Sequence, residues 1–367
     1  MIFINHIPGT VWENLTSRNF GFSDAAEGFV LMSGIATALA YGPPFLRGRP
    51  TLAEALRPWR RAVTLWLVHV VVVVAIYGLF VLTQDQTGIL EMAEKRNILP
   101  VLEEPGRYLV PLVTLAHQFA YADILPLYVV LMLVAPALLF AAVRAPVLVM
   151  LAALALWFAV GLWKVKMPTY PLDYGWFFNP LAWQVLFVAG IVTGLALRRG
   201  ERVLPVRVWP LRLAIGFLIL SAVWVQVPQV SAWGGHGLWL LYEYAGFPPV
   251  LTSFDKSFLF LPRLLHILAL AYVLSALPVV PRLAARPALA PLVMLGRHSL
   301  PVFAVSTVLA YGAQVTKSIL PPSVLLDTAL IAAGLCVLFA VASHYDRKKR
   351  RQSAMAAGPR ADIAARH

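Results

Sequence analysis

Charge is scarce in this chain, and thiols are scarcer. Only 13% of its 367 residues are Asp, Glu, Lys or Arg, about half the fraction carried by a soluble domain. Acids are the scarcer sign, 17 against 30 Lys and Arg, which leaves a formal charge of +13. The single cysteine, Cys336, lies inside an apolar run and excludes both an intramolecular disulfide and a thiolate metal cluster. There is no HExxH, and the acids and histidines come from separate apolar runs, so no metal site is expected. The absence of a GxSxG elbow and of a Walker loop removes support for a hydrolase or an ATPase. No internal repeat is visible, and the N-terminal MIFINHIPG lacks the basic region and small-residue cleavage site of a signal peptide.

What is present is apolar. The chain is 60% hydrophobic, with a mean hydropathy of +0.76, the composition of a membrane protein. A span needs about 20 mostly apolar residues, and nine stretches qualify: 24–45, 62–83, 120–142, 146–163, 180–197, 211–228, 258–277, 294–315 and 323–343. MIFINHIPG is too short to cross and reads as the last third of a helix whose beginning is absent. The expected fold is therefore all-α: a polytopic transmembrane helix bundle with nine complete spans plus the end of a truncated first span, ten in the full chain. Residues 1–346 are expected to form one integral membrane domain, and 347–367 a disordered basic tail. Pro126, Pro136 and Pro301 fall inside spans, where neighbours can satisfy the freed backbone. Small residues such as Gly190 and Gly194 read as helix packing.

The basic residues cluster between spans, which fits positive-inside topology rather than a nucleic-acid face. If Arg47 to Arg61 are placed in the cytoplasm and the sides then alternate, the inner segments hold 21 of the 30 Lys and Arg. RKKRR (Arg347 to Arg351) follows the last span as a cytoplasmic anchor facing anionic lipid. Most acids fall on the other side, among them Glu13, Asp24, Glu91, Glu104 and Asp255. Residues 84–118 suit an amphipathic stretch lying on that face. Trp163 to Asn179 and Val230 to Phe247 are outer segments rich in Trp, Tyr, Phe and Gly. They read either as an interfacial aromatic belt or as loops whose flat rings stack on a sugar.

Polar residues at membrane depth or its edge are costly, and they usually face a cavity or pair with each other. Here they are His6, Asp24, Glu27, His69, His117, Asp123, Gln184, Arg263, His266 and His298. Asp24 and Glu27, three apart, share a helix face; they could cap the helix that follows or carry function. Arg57 and Arg60 of RPWR lie one turn apart, where guanidinium forks can take phosphate or merely mark the inner side. Arg263 and His266 share a face within an otherwise apolar run.

With these residues in view, the chain resembles OpgC, the membrane family that succinylates osmoregulated periplasmic glucans, within the wider acyltransferase family 3. The resemblance rests on FINHIPG (Phe3 to Gly9), NFGFSDAAEGFVLMSG (Asn19 to Gly34), ADILPLYVVLMLVAP (Ala122 to Pro136), NPLAWQVLFVAG (Asn179 to Gly190) and RLLHILALAY (Arg263 to Tyr272), with LGRHSLPVF (Leu295 to Phe303) as a recurring superfamily element. The superfamily pattern is an Arg, ten residues and a His, then an RxxR. His6 matches the histidine and RPWR the second motif, while the partner arginine would precede Met1.

The resemblance implies an inner-membrane, multi-pass O-acyltransferase with a cytoplasmic C-terminus. It would use acyl-CoA, succinyl-CoA in particular, as donor substrate with no bound cofactor, and a periplasmic glucan as acceptor. Beyond the lipid bilayer and these two substrates no partner is implied. His6 would act as general base on a glucan hydroxyl or accept the acyl group transiently. Asp24 or Glu27 would fix its tautomer. Arg57, Arg60 and Arg61 would bind the donor's phosphates, and Asp123, Arg263, His266 and Trp183 would line the acceptor or acyl site. Rival readings are acetyl or other acyl transfer to another surface polysaccharide, an inactive scaffold, and a transporter. The transporter would be expected to show repeats and paired broken helices.

Overall fold

The computed structural model describes residues 1–86 and 88–357. Among these residues every regular element is a helix and there is no strand. Eight helices are long and apolar enough to cross a membrane. They are α1 (Ala25–Leu46), α2 (Arg57–Thr83), α3 (Ile124–Arg144), α4 (Pro146–Trp163), α5 (Pro180–Arg198), α6 (Val208–Gln226), α9 (Ser299–Ile319) and α10 (Val324–Ala357). Between α6 and α9 lie two helices of 16 residues each, α7 (Pro228–Glu243) and α8 (Leu261–Ala276).

Eight of the nine expected spans thus correspond to long helices, and the exceptions in detail have local causes. The stretch 258–277 yields only the short α8, because Asp255 Oδ1 accepts the N–H groups of Ser257 (2.7 Å) and Phe258 (3.2 Å) and holds the preceding residues in a turn. The stretch 294–315 is interrupted at His298, whose φ of −110° and ψ of 37° separate helix Ala290–Arg297 from α9. Val230 to Phe247, read as an aromatic outer segment, is mostly α7. Residues 84–118 fold as three short helices, Ile89–Lys95, Leu99–Glu103 and Pro105–Val113. They bury Ile89, Val101 and Leu112 and expose Leu90 and Leu109. Helix α10 runs to Ala357, so residues 347–357 of the tail expected to be disordered are helical. The rest of that tail, 358–367, lies outside the described residues.

The chain divides into two compact units. The first comprises Asn14–Leu277 together with Met1–Ile2. At its centre is α5, packed on α1, α3 and α4. Apolar burial contributes little to helix association in lipid, so close backbone approach and polar pins must supply it. Gly34 of α1 and Gly190 of α5 meet backbone to backbone. A Cβ on Gly34 would lie 2.2 Å from the Phe187 carbonyl oxygen, and one on Gly190 would lie 2.3 Å from that of Leu31. Gln184 Nε2 donates to the Ala153 carbonyl (2.8 Å) and so ties α5 to α4. Trp157 Nε1 donates to the Leu259 carbonyl (2.9 Å), and Trp59 Nε1 to that of Leu133 (2.8 Å).

The second unit comprises Phe3–Glu13 and Pro278–His367. Phe3 and Ile7 are buried among Ala310 and Ala313 of α9 and Ile331 and Leu338 of α10. Gly334 leaves room for the Phe3 ring; a Cβ there would sit 2.1 Å from a ring carbon. Trp12 Nε1 donates to Thr328 (3.0 Å), and Lys317 Nζ pairs with Asp327 (2.8 Å).

Candidate functional site: an ion-paired cluster and an arginine-bearing helix start

The polar residues of the first unit converge before the N-terminus of α1. Leading into it, Phe20 to Asp24 packs against α8. Gly21 has no alternative, since a Cβ would fall 1.9 Å from His266 Nε2. Phe22 packs edge-on or tilted against Phe217, Trp224, Phe254 and His266. The Ser23 N–H donates to His266 Nδ1 (3.4 Å), and Ser23 Oγ lies 2.6 Å from the same nitrogen. His266 is buried and held in this pocket.

Asp24 caps α1: its Oδ1 accepts the Ala26 N–H at 2.8 Å, while Glu27 Oε2 accepts the Asp24 N–H at 3.0 Å. This reciprocal pair is a capping box. The remaining oxygens serve a second purpose. Asp24 Oδ2 takes the Lys256 ammonium, with Arg263 Nη2 at 3.6 Å. Glu27 Oε1 accepts from Arg263 Nε (2.8 Å) and from its Nη2. Glu27 is fully buried. Two acids and two bases thus make a neutral cluster, the condition under which charge survives at membrane depth. Burial alone would raise the Asp24 carboxyl, but the Lys256 ammonium, its hydrogen bond, the Ala26 N–H and Arg263 together hold it below the usual carboxylate range.

Beyond its place among the lysines of the outer segments, Lys256 is not singled out by the sequence. The structure fixes its backbone, with the Lys256 carbonyl accepting from Trp183 Nε1 at 3.0 Å. Trp183 itself is wholly enclosed and packed edge-on against Phe178, so its place is to position Lys256. The ammonium lies 5.9 Å from the Phe177 ring centre and 5.6 Å from that of Phe178.

Next to these lies buried Asp123, just ahead of α3. Burial pushes its carboxyl up to about 7, against the opposing charge of Lys256. Beyond it, His117 Nε2 sits 2.7 Å from the Asn97 carbonyl. A carbonyl only accepts, so the proton is on Nε2, and Nδ1 accepts from the Tyr174 hydroxyl at 3.1 Å. Burial lowers His117. It also drives Tyr174 up to about 12, with Tyr108 and Asp123 adding to the effect. Neither His117 nor Tyr174 is charged at neutral pH.

Arg57, Arg60 and Arg61 lie at the other end of α1. They open α2, whose first turn holds no acid and whose N-cap, Leu56, offers no side-chain hydrogen bond. Arg57 and Arg60 are exposed and Arg61 is partly so. Arg57 lies over the Tyr41 ring at 5.7 Å. Cations at a helix N-terminus oppose the dipole, each by about 0.3–1 kcal/mol. A phosphate at this end would find three guanidinium groups. Asp24 and Tyr41 are separated along α1 by about 25 Å, at 1.5 Å per residue, so the two charged centres stand roughly one hydrocarbon thickness apart.

His6 belongs to the second unit. Its carbonyl accepts from Gln314 Nε2 (2.6 Å), and that of Pro8 accepts from Lys317 Nζ (3.1 Å), so the turn after Ile2–Asn5 is pinned to α9. The resemblance implies that Asp24 or Glu27 orients His6; within the first unit the two carboxylates pair with Lys256 and Arg263.

Eight long apolar helices among the described residues define a multi-pass membrane protein. Within that class, the family model described as OpgC protein matches residues 1–350, and the chain belongs to the OpgC family. No curated protein and no solved structure matches it.

Proposed function

We propose that this protein is an acyl-CoA-dependent O-acyltransferase of the inner membrane. In this reading it moves an acyl group, succinyl in particular, from cytoplasmic donor to the hydroxyls of a periplasmic glucan. Membership of the OpgC family fits a membrane protein of glucan modification. The observation that carries the mechanistic reading is the pair of charged centres at opposite ends of α1: three arginines at an uncapped helix start and the Asp24–Lys256–Arg263–Glu27 cluster.

Arg57, Arg60 and Arg61 take the phosphates of the donor at the cytoplasmic end, the side the arginine distribution favours. His6 removes the proton of a glucan hydroxyl as its oxygen attacks the thioester carbon. The carbon–sulfur bond breaks, and the CoA thiolate leaves and takes up the proton. Asp24 and Glu27 hold Lys256 and Arg263 in place, Trp183 and His266 brace the same walls, and Asp123 supplies a carboxyl near neutrality beside the acceptor.

The test is product chemistry. Glucans extracted from a deletion strain are expected to lack succinyl half-esters by mass spectrometry, and the wild-type gene is expected to restore them. His6→Ala, inserted normally, is expected to leave the glucan bare. Acylation at the wild-type rate by His6→Ala would end the assignment of the base, and glucan unchanged by deletion would end the assignment of the acceptor.

A further inference from the structure

The loop from Lys164 to Phe178 is more ordered than a lipid-facing aromatic belt requires. Thr169 Oγ1 accepts the N–H groups of Tyr174 (3.0 Å) and Gly175 (3.2 Å). The Trp176 N–H donates to the Met167 carbonyl (2.9 Å) and the Tyr170 N–H to that of Ala116 (3.1 Å). Asn179 Nδ2 donates to the Val165 carbonyl at 2.7 Å. Gly175 takes a φ of +72° to complete the turn, a backbone that favours glycine. Despite this scaffold, the loop leaves three rings in the open: Tyr170 is 61% exposed, Phe177 45% and Tyr174 39%.

The surroundings of Phe177 set it apart from belt residues. Phe177 stands edge-on to buried Phe178, centre to centre 5.0 Å, and both rings border the Lys256 ammonium. Lys256 and its partner Asp24 keep about a quarter and a fifth of their side chains accessible (25% and 21%). An open ring beside an accessible carboxylate–ammonium pair is poorly suited to acyl chains, which offer nothing to the charges. It is well suited to a pyranose, whose C–H face lies on an aromatic plane while its hydroxyls donate to a carboxylate and accept from an ammonium.

We propose that Phe177 is the platform of a carbohydrate-binding subsite, and that Asp24 and Lys256 hydrogen-bond the hydroxyls of the sugar ring stacked on it. This deepens the acyltransferase reading by naming the ground on which the acceptor docks, and it rests on that reading only for the identity of the sugar. The site itself would bind a glucose oligosaccharide whether or not transfer follows.

Two substitutions separate stacking from mere apolarity. Phe177→Leu keeps an apolar side chain for lipid but removes the flat face, whereas Phe177→Trp keeps the face. Binding to the purified full chain in nanodiscs is measured by saturation-transfer NMR and calorimetry, with glucose hexasaccharides of β-1,2, β-1,3 and β-1,4 linkage as probes. At least one probe is expected to bind. Loss of one ring stack is expected to weaken it about ten-fold in Phe177→Leu, with Phe177→Trp within about two-fold of wild type. Donor affinity, read with succinyl-CoA, is expected to stay unchanged in both. If no probe binds, or if Phe177→Leu binds as wild type does, the platform is refuted and the loop is an interfacial belt only. Probe binding that depends on Phe177 in a protein that transfers no acyl group would uphold the subsite and overturn the acyltransferase reading.

Discussion

Replacing Arg263 by Met removes one cation from a cluster that has no spare. Glu27 Oε1 would lose both its donors on that side chain, Nε at 2.8 Å and the neighbouring Nη2, and would keep no ion partner within salt-bridge distance. Asp24 would still have Lys256. A fully buried carboxylate left unpaired costs about 3–5 kcal/mol. For a protein of this size that corresponds to roughly 4–6 °C in melting temperature. Glu27→Leu alone should cost less, because Arg263 remains 3.6 Å from Asp24 and is partly wet. The double variant Glu27→Leu/Arg263→Met restores neutrality, since well-packed apolar residues replace buried ion pairs at little cost. It forfeits only the hydrogen bond that the Asp24 N–H donates to Glu27, worth about 1 kcal/mol. Thermal unfolding of the four proteins in one detergent gives the coupling directly. The double variant is expected to melt at least about 2 °C above Arg263→Met. If the two losses simply add, the cluster is not a closed electrostatic unit and the reasoning fails.

Several other outcomes follow from the same geometry. Gly190→Leu would drive a side chain into the Leu31 carbonyl, 2.3 Å from where its Cβ must lie; detergent-extractable folded protein is expected to fall sharply, while Gly216→Leu, with open space around it, is expected to express normally. Arg57→Ala/Arg60→Ala is expected to raise the KM for acyl-CoA about ten-fold or more, each charged hydrogen bond being worth about 1.5–3 kcal/mol, with little effect on the acceptor KM. Asp123 holds its proton up to about pH 7 in the folded state, whereas an unfolded Asp loses it near pH 4. Folded protein therefore binds the extra proton between those values, and this group's contribution to stability falls as pH rises through the window, then levels off. Melting curves against pH are expected to show Asp123→Asn more stable than wild type at pH 8 and level with it near pH 4.

Hydropathy was enough to find the helices, because a lipid-crossing segment must be long, apolar and hydrogen-bonded within itself. It could not find where the apolar stretches stop being helical. Phe258 and Leu259 are as greasy as their neighbours, yet they lie in a turn set by one Asp255 oxygen, and composition does not register such a turn. The aromatic residues from Trp233 to Tyr242 suggested a loop and form a helix, since tryptophan and tyrosine mark membrane edges in either conformation. Asp24, Glu27, Arg263 and His266 were visible as costly residues in apolar surroundings, and the structure brings all four together. Lys256 was not singled out, although a signal existed: it is a cation on the acid-rich side, against the bias that places most Lys and Arg on the other. The division into two units left no mark, because the segment Phe3–Glu13 joins residues some 300 positions away.

The Gly34–Gly190 contact reaches beyond packing. Because each backbone occupies the space a side chain would need on the other, α1 and α5 are seated like a key in its keyway. Sliding by a turn in either direction would bring Val30 or Ala38 of α1 into a gap that holds only a hydrogen. Piston strokes of α1 along α5 are thereby forbidden. The charged cluster at one end of that helix and the arginines at the other stand about 25 Å apart along it, so whatever passes between them must travel that distance.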